Sequence, residues 1–176
     1  PTPNCYLYKC YGKQRHPVEN ATRHILTMDN KELKKTFGEF AIAGEFEGTF
    51  GGWLKCSSEC IVALDLQKSN FGNYYELNIK IYIQGIFGTT YARCKDLIKK
   101  DIGDVFRRPP SEYKDVLDLD VSMGLEMRRE RIRSLFESFI FPFTAKALSR
   151  EGIRQLANDG DVLLLPNIKA ELEATA

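Results

Sequence analysis

A chain of 176 residues is long enough for one domain with a proper hydrophobic core. It is 43% hydrophobic and 28% charged, and 25 Lys+Arg against 24 Asp+Glu leave a formal net charge of +1, which argues against a protein built mainly to neutralise phosphates. The longest dense apolar run, SLFESFIFPF, is broken by Glu137 and Pro142, and the polar, Tyr-rich start of the chain has no apolar signal core, so a cytoplasmic protein without a membrane partner is expected.

The chain begins at Pro1, which reads as a processed, truncated or partial N-terminus. Residues 1–27 show no period and hold three prolines and both histidines. They are expected to form an irregular extension with one short strand around Tyr6–Tyr8, ahead of a single domain over residues 28–176. Asp29 and Glu32 have capping-box spacing, Leu33, Phe37 and Phe40 recur at helical intervals, and Gly44 supplies a stop, so the first helix is predicted over Asn30–Ala43. TFGGWLKC reads as a strand weakened by its glycines, SSE as a turn and CIVALDLQ as a strand. SNFGN is a turn, and YYELNIKIYIQ is the clearest strand in the chain.

TTYARCKDLIKK is read as holding a short helix. DIGDVFRR and EYKDVLDLD, separated by the turn-forming PPS, are predicted to make a second hairpin. After Ser122, the residues Leu125, Ile132, Phe136, Phe139 and Phe143 trace one helical face that Pro142 should kink or end. Ser149 caps a helix through Ile153 and Leu156 that Gly160 terminates. DVLLLPNIKAELEA reads as an extended piece up to Pro166 and a fraying helix after it. The order of elements predicts an α+β domain with an antiparallel sheet of about five strands. An N-terminal helix and the C-terminal helices would cover one face of that sheet, leaving the other at least partly open.

The two central strands sort by face. Cys60, Val62, Leu64 and Leu66 share one side with Tyr75, Leu77, Ile79, Ile81 and Ile83, and this is the core side. The other side carries Ile61, Ala63, Asp65 and Gln67, facing Tyr74, Glu76, Asn78, Lys80 and Tyr82. A one-residue slip would bury carboxylates and a lysine, so the parity is fixed. Of the two registers that keep it, one sets Asp65 against Glu76, which is repulsive. The other pairs Gln67 with Glu76 and Asp65 with Asn78, leaves NFGN as the loop, and is the one expected.

Leu66-Gln67-Lys68-Ser69, the short Gly-containing turn and the following strand bearing Asn78 resemble the signature hairpin of a bacterial group, the domain-of-unknown-function family 4304. The surrounding order is similar too: a helix before, then VFRRP and YKDVLDLD as strands, then a closing helix. The resemblance covers roughly Asp29 to Phe143, with a looser continuation through the C-terminal helices. This chain departs from it in Lys80, where the family often shows Gly, and in the segment before Met28. The resemblance implies a fold and a bacterial origin, and it carries no established activity.

His16 and His24 both lie in the extension, so Asp29 onward offers no imidazole for Ser-His-Asp, Cys-His or His-ligated metal chemistry. The five cysteines include Cys5, Cys10, Cys56 and Cys60, but neither pair has the two-residue knuckle spacing, so no metal is expected; no cofactor is expected either. EGTFGGW lacks the strand, Lys and helix context of a phosphate cradle. Within RRERIR, Glu126 with Arg129 and Glu130 with Arg133 sit at i,i+3 spacing, which favours a solvated, salt-laced helix face over a nucleic-acid surface.

Two functions remain. The leading one is a non-enzymatic binding module whose surface is the polar sheet face: Gln67, Glu76, Asn78, Lys80, Tyr82 and Arg107, the last reaching in from a strand end. Its partner would be a protein or a small molecule. The alternative is a His-free enzyme that uses Asp65 and Glu76 as acid and base.

Overall fold

The computed structural model describes residues 27–174. The expected extension and its Tyr6–Tyr8 strand therefore lie outside the described residues, apart from Thr27, which bridges Gly124. Asp29 adopts extended backbone and its side chain accepts from the Glu32 N–H at 2.8 Å, capping α1 (Asn30–Ala43) at the expected bound. The Gly44 N–H closes the other end on the carbonyls of Phe40 and Ala41.

Five strands follow as an antiparallel meander in chain order: β1 (Glu47–Thr49), β2 (Gly52–Cys56), β3 (Cys60–Lys68), β4 (Tyr75–Ile83) and β5 (Val105–Arg107). TFGGWLKC is not one weakened strand. It contains a two-residue hairpin turn in which Phe50 and Gly51 both have positive φ, 52° and 75°. Such mirror-image turns match the right-handed twist of the flanking strands, and Gly51 adopts that conformation without a Cβ penalty.

The β3–β4 register is the expected one. Asp65 pairs with Asn78 and Gln67 with Glu76, and the Ser69 N–H donates to the Tyr74 carbonyl, which leaves NFGN as the loop. The parity rule holds along both strands, and all of the core-side residues named from sequence are buried in one cluster. Onto that face pack α1, α3 (Leu125–Leu135), α4 (Phe141–Ala147), α5 (Arg150–Asn158) and α6 (Pro166–Ala174). Phe37 ties the layers together, its ring centroid 4.9 Å from Trp53 of β2 and 4.7 Å from Phe136.

The long helix does not stop at Pro142. Between α3 and α4 lies a π turn, Phe136–Ile140, and the Phe141 N–H reaches back five residues to the Phe136 carbonyl. The wider turn makes room for a ring that would clash with the carbonyl four residues back in an ordinary helix. Ser149 caps α5 by accepting from the Gly152 N–H at 3.0 Å, and Gly160 follows its end at φ 79°.

Two expectations need correction. Residues 112–120 are not a strand and form no hairpin with β5; Ser111–Tyr113 and Asp115–Leu117 are single 3-10 turns, and the segment's one strand-like bridge is that of Asp118 with Tyr74, beside which the Leu119 N–H donates to the Asn73 carbonyl at 2.9 Å. The count of five strands stands because β1 supplies the fifth. The second sheet face is also not simply polar. The connection between β4 and β5 folds back across it and carries α2 (Lys95–Lys99), whose Leu97 and Ile98 bury against Leu54, Ile61, Ala63 and Tyr82. Burying such side chains is worth about 1.5–3 kcal/mol each, enough to hold a five-residue helix that could not persist alone.

Candidate binding cleft at a break in the sheet

The covered half of the second face takes Asp65, Lys80 and Tyr82 out of reach of an outside partner. Lys80 and Tyr82 are 5% and 1% exposed, so their expected place in a binding surface does not hold. The Lys80 ammonium donates to the Ile98 carbonyl and lies 3.5 Å from Asp65, whose other oxygen meets Lys99 at 2.7 Å. The Tyr82 hydroxyl donates to the Leu97 carbonyl, and burial pushes its phenol well above the usual range. These are the polar fastenings of α2 to the sheet. They also satisfy groups that would be costly to bury alone.

The open half brings together Gln67 and Glu76 over Asn78, which at 5% exposed is as buried as Lys80 and takes part only through its neighbours. The Asn78 amide donates to Gln67 Oε1 at 3.1 Å, and its own oxygen accepts from Arg108 Nε at 3.3 Å. Arg108 Nη2 continues to Glu76 Oε2 at 2.8 Å. The arginine of this strip is therefore Arg108, not Arg107. Arg107 pairs with Ile79, so strand parity turns it to the helix side, where its guanidinium sits 6.0 Å from the Phe139 ring. Asp65 and Glu76, the two carboxylates of the acid–base alternative, do not converge on a shared opening. Asp65 is enclosed between two lysines beneath α2, and Glu76 is held by Arg108 on the open side.

Beside that strip the sheet has a gap. β5 pairs with β4 only over Ile79–Ile81, and the chain touches β4 again at Tyr74 through Asp118. Ten residues lie between Arg107 and Asp118, while four lie between their partners Ile79 and Tyr74. The surplus loops outward, starting at Pro109-Pro110, which have no N–H to continue the ladder. Between the loop and the β4 edge lies a cleft of about 340 Å³. Leu77 and Leu117 line its apolar part, Tyr74, Tyr113, Pro109 and Pro110 contribute flat faces, and Glu76, Arg108, Lys114 and Asp118 carry its charges. That volume is at the lower end of small-molecule sites, about 300–1,000 Å³.

The loop is held from behind by two arginines of α3. Arg128 is 1% exposed, so it is no part of a solvated face. Its Nη1 donates to the carbonyls of Asp115, Val116 and Asp118 at 3.0, 2.8 and 2.7 Å, and Nη2 to that of Val121 at 2.6 Å. Burial pulls this guanidinium below its ordinary value, opposed by Asp115 and Asp118. Arg131 adds the Glu112 carbonyl and the Asp115 carboxylate, at 2.7 and 2.9 Å. Of the expected helix pairs, Glu130–Arg133 forms at 3.1 Å, whereas Arg129 pairs with Glu39 of α1 at 2.9 Å.

Sequence reasoning missed the cleft and its Tyr113, Arg108 and Arg128. The available signal was the diproline after VFRR, read as a turn between strands although it removes two consecutive N–H donors from an edge already in register. Cys56 and Cys60 fall on opposite faces, Cys60 in the helix-side core with its thiol pushed up to about 12 by burial and Cys56 exposed, while Cys5 and Cys10 lie outside the described residues. Among the described residues, no group of three or more His, Cys, Asp or Glu converges in a metal-binding arrangement, and no helix is long and apolar enough to cross a membrane. Compared with known proteins, the chain matches no family model, no curated protein and no solved structure.

Proposed function

We propose that the protein is a binding module whose site is the cleft between the β4 edge and the 108–118 loop, entered from the Gln67–Asn78–Arg108–Glu76 strip. The observation that carries this is the combination of a preformed cleft with a loop clamped by a buried arginine. Three carbonyl contacts from Arg128 hold the loop open where regular pairing would have closed the sheet, and a fourth fixes Val121 just after it. Preorganisation of this kind lowers the ordering cost of binding. The flat faces of Tyr74 and Tyr113 supply contact area, and the Glu76–Arg108 pair supplies orientation.

Binding, rather than catalysis, suits the chemistry in the cleft. Glu76, the one candidate acid–base carboxylate that lines it, is paired with Arg108, and among the described residues no imidazole or thiol belongs to its lining. On this view the chain is a bacterial protein of the family its Leu66–Ser69 hairpin resembles, and the resemblance contributes a fold, not an activity. The test is a fragment screen on uniformly 15N-labelled protein. Hits are expected to shift the amides of residues 74–77 and 111–118 and to lose affinity in Tyr113→Ala. Hits that map only to other surfaces would remove the cleft as the site.

A further inference from the structure

We infer that the ligand of this cleft presents a neutral amide to the unpaired backbone of Leu77, an inference that rests on the binding reading above. In an antiparallel strand, alternate residues direct both N–H and C=O to the same edge. The Asp104 N–H donates to the Ile81 carbonyl and the Ile83 N–H donates to Asp104 Oδ2, so the odd-numbered residues of β4 face the β5 edge. The Tyr74 carbonyl accepts from Ser69, and the Gln84 N–H donates to Glu59, so the even-numbered ones face β3. Ile79 and Ile81 meet Arg107 and Val105. The next residue on that edge is Leu77, and its ladder partner would be Pro109, which has no N–H and has already turned away.

The Leu77 N–H and C=O therefore point into the cleft, and among the described residues no hydrogen bond is made to either from the β5 side. Leu77 is nonetheless 1% exposed. Backbone groups so placed are almost always paired by protein, water or ligand. One donor and one acceptor on the same edge match a primary carboxamide, whose syn N–H and C=O return both, whereas the N–H and C=O of a trans secondary amide point in opposite directions. A carboxylate only accepts and an ammonium only donates.

Charge points the same way. Glu76 and Asp118 are balanced by Arg108 and Lys114, so the lining favours a neutral ligand. The free edge is also short. It is bounded by the Tyr74–Asp118 bridge, which sets Tyr75 opposite Leu117, and by the Ile79–Arg107 pair, which leaves Leu77 as the open ladder position and no room for an added strand.

The experiment titrates 15N-labelled full chain with cyclohexanecarboxamide and with methyl cyclohexanecarboxylate, its ester counterpart, each up to about 50 mM, the range in which fragments of this size bind. The amide is expected to move the Leu77 N–H resonance downfield and to bind about tenfold or more tightly than the ester, because only the ester leaves the Leu77 carbonyl unpaired. A capped pentaalanine arm separates the sources: binding about tenfold tighter than the single amide assigns the site to a protein tail, and equal or weaker binding assigns it to a small amide. Equal affinity of amide and ester at the cleft would overturn the amide inference and leave the binding module standing. Silence of the amide while other fragments occupy the cleft would do the same. No fragment of any class at the cleft would remove both.

Discussion

Replacing Arg128 with Met keeps the aliphatic stem inside the core and removes the guanidinium. Nη1 carries two hydrogens shared among three carbonyls, and Nη2 adds the fourth contact, so roughly three N–H donors are lost. A hydrogen bond from a charged donor is worth about 1.5–3 kcal/mol, but the desolvation of the buried guanidinium is recovered in the variant. The net loss should be about 3–5 kcal/mol, a large share of the roughly 5–15 kcal/mol that holds a domain of this size. In urea titration followed by Trp53 fluorescence, with a slope of about 2 kcal/mol per molar, the midpoint should fall by roughly 1.5–2.5 M at unchanged slope. Arg131→Ala removes contacts that are more than a third exposed and should cost only about 1 kcal/mol. A midpoint shift in Arg128→Met worth less than about 1 kcal/mol would refute the claim that this side chain clamps the cleft wall.

Asp65→Ala leaves the Lys80 ammonium buried without its carboxylate and should cost about 3–5 kcal/mol in the same titration, whereas Lys80→Met leaves Asp65 with Lys99 and should cost clearly less. Asn78→Ala should cost about 1–2 kcal/mol by releasing both Gln67 and Arg108, and Gln67→Ala, at an exposed position, less than about 1 kcal/mol. The Cys60 thiol ordinarily titrates near 9.0 and is raised to about 12 in the fold, so above pH 9.0 the unfolded chain releases a proton that the folded chain keeps. The stability this contributes is intact below pH 9.0 and is lost progressively as pH rises towards about 12. Tyr82 and Tyr91, both raised chiefly by burial, act in the same direction. Chemical denaturation from pH 8 to 11 should show the decline, and Cys60→Ala should make it shallower by up to about 1.4 kcal/mol per pH unit.

What was legible from sequence was whatever local chemistry alone determines. Asp29 and Gly44 bound α1, Ser149 starts α5, and the alternation through β3 and β4 fixed parity, register and the NFGN loop. What failed were features set by more distant partners. Ile61, Ala63 and Tyr82 cluster at one end of an otherwise polar face, a sign that this end is buried, but only the return of Leu97 and Ile98 shows what covers it. Lys80 and Arg128 have the composition of surface residues and become buried because carbonyls and carboxylates far along the chain converge on them. Arg107 and Arg108 are adjacent and identical in type, so their faces depended on which of Val105 and Phe106 points to the core, and both are apolar. The cleft was hidden for a related reason. Two prolines read equally as a hairpin turn or as the end of edge pairing, and only the bridge from Asp118 to Tyr74 separates the two.

Native-state hydrogen exchange at two neighbouring amides of β4 tests the central claim, the interruption of the sheet edge, most directly. The Ile79 N–H faces Arg107 within the ladder, and the Leu77 N–H faces the cleft. In the free protein, Leu77 should exchange about 100-fold or more faster than Ile79, because its exchange needs no opening of the sheet. Equal protection of the two amides would mean that the β4 edge is continuously paired, and that the cleft is not the site.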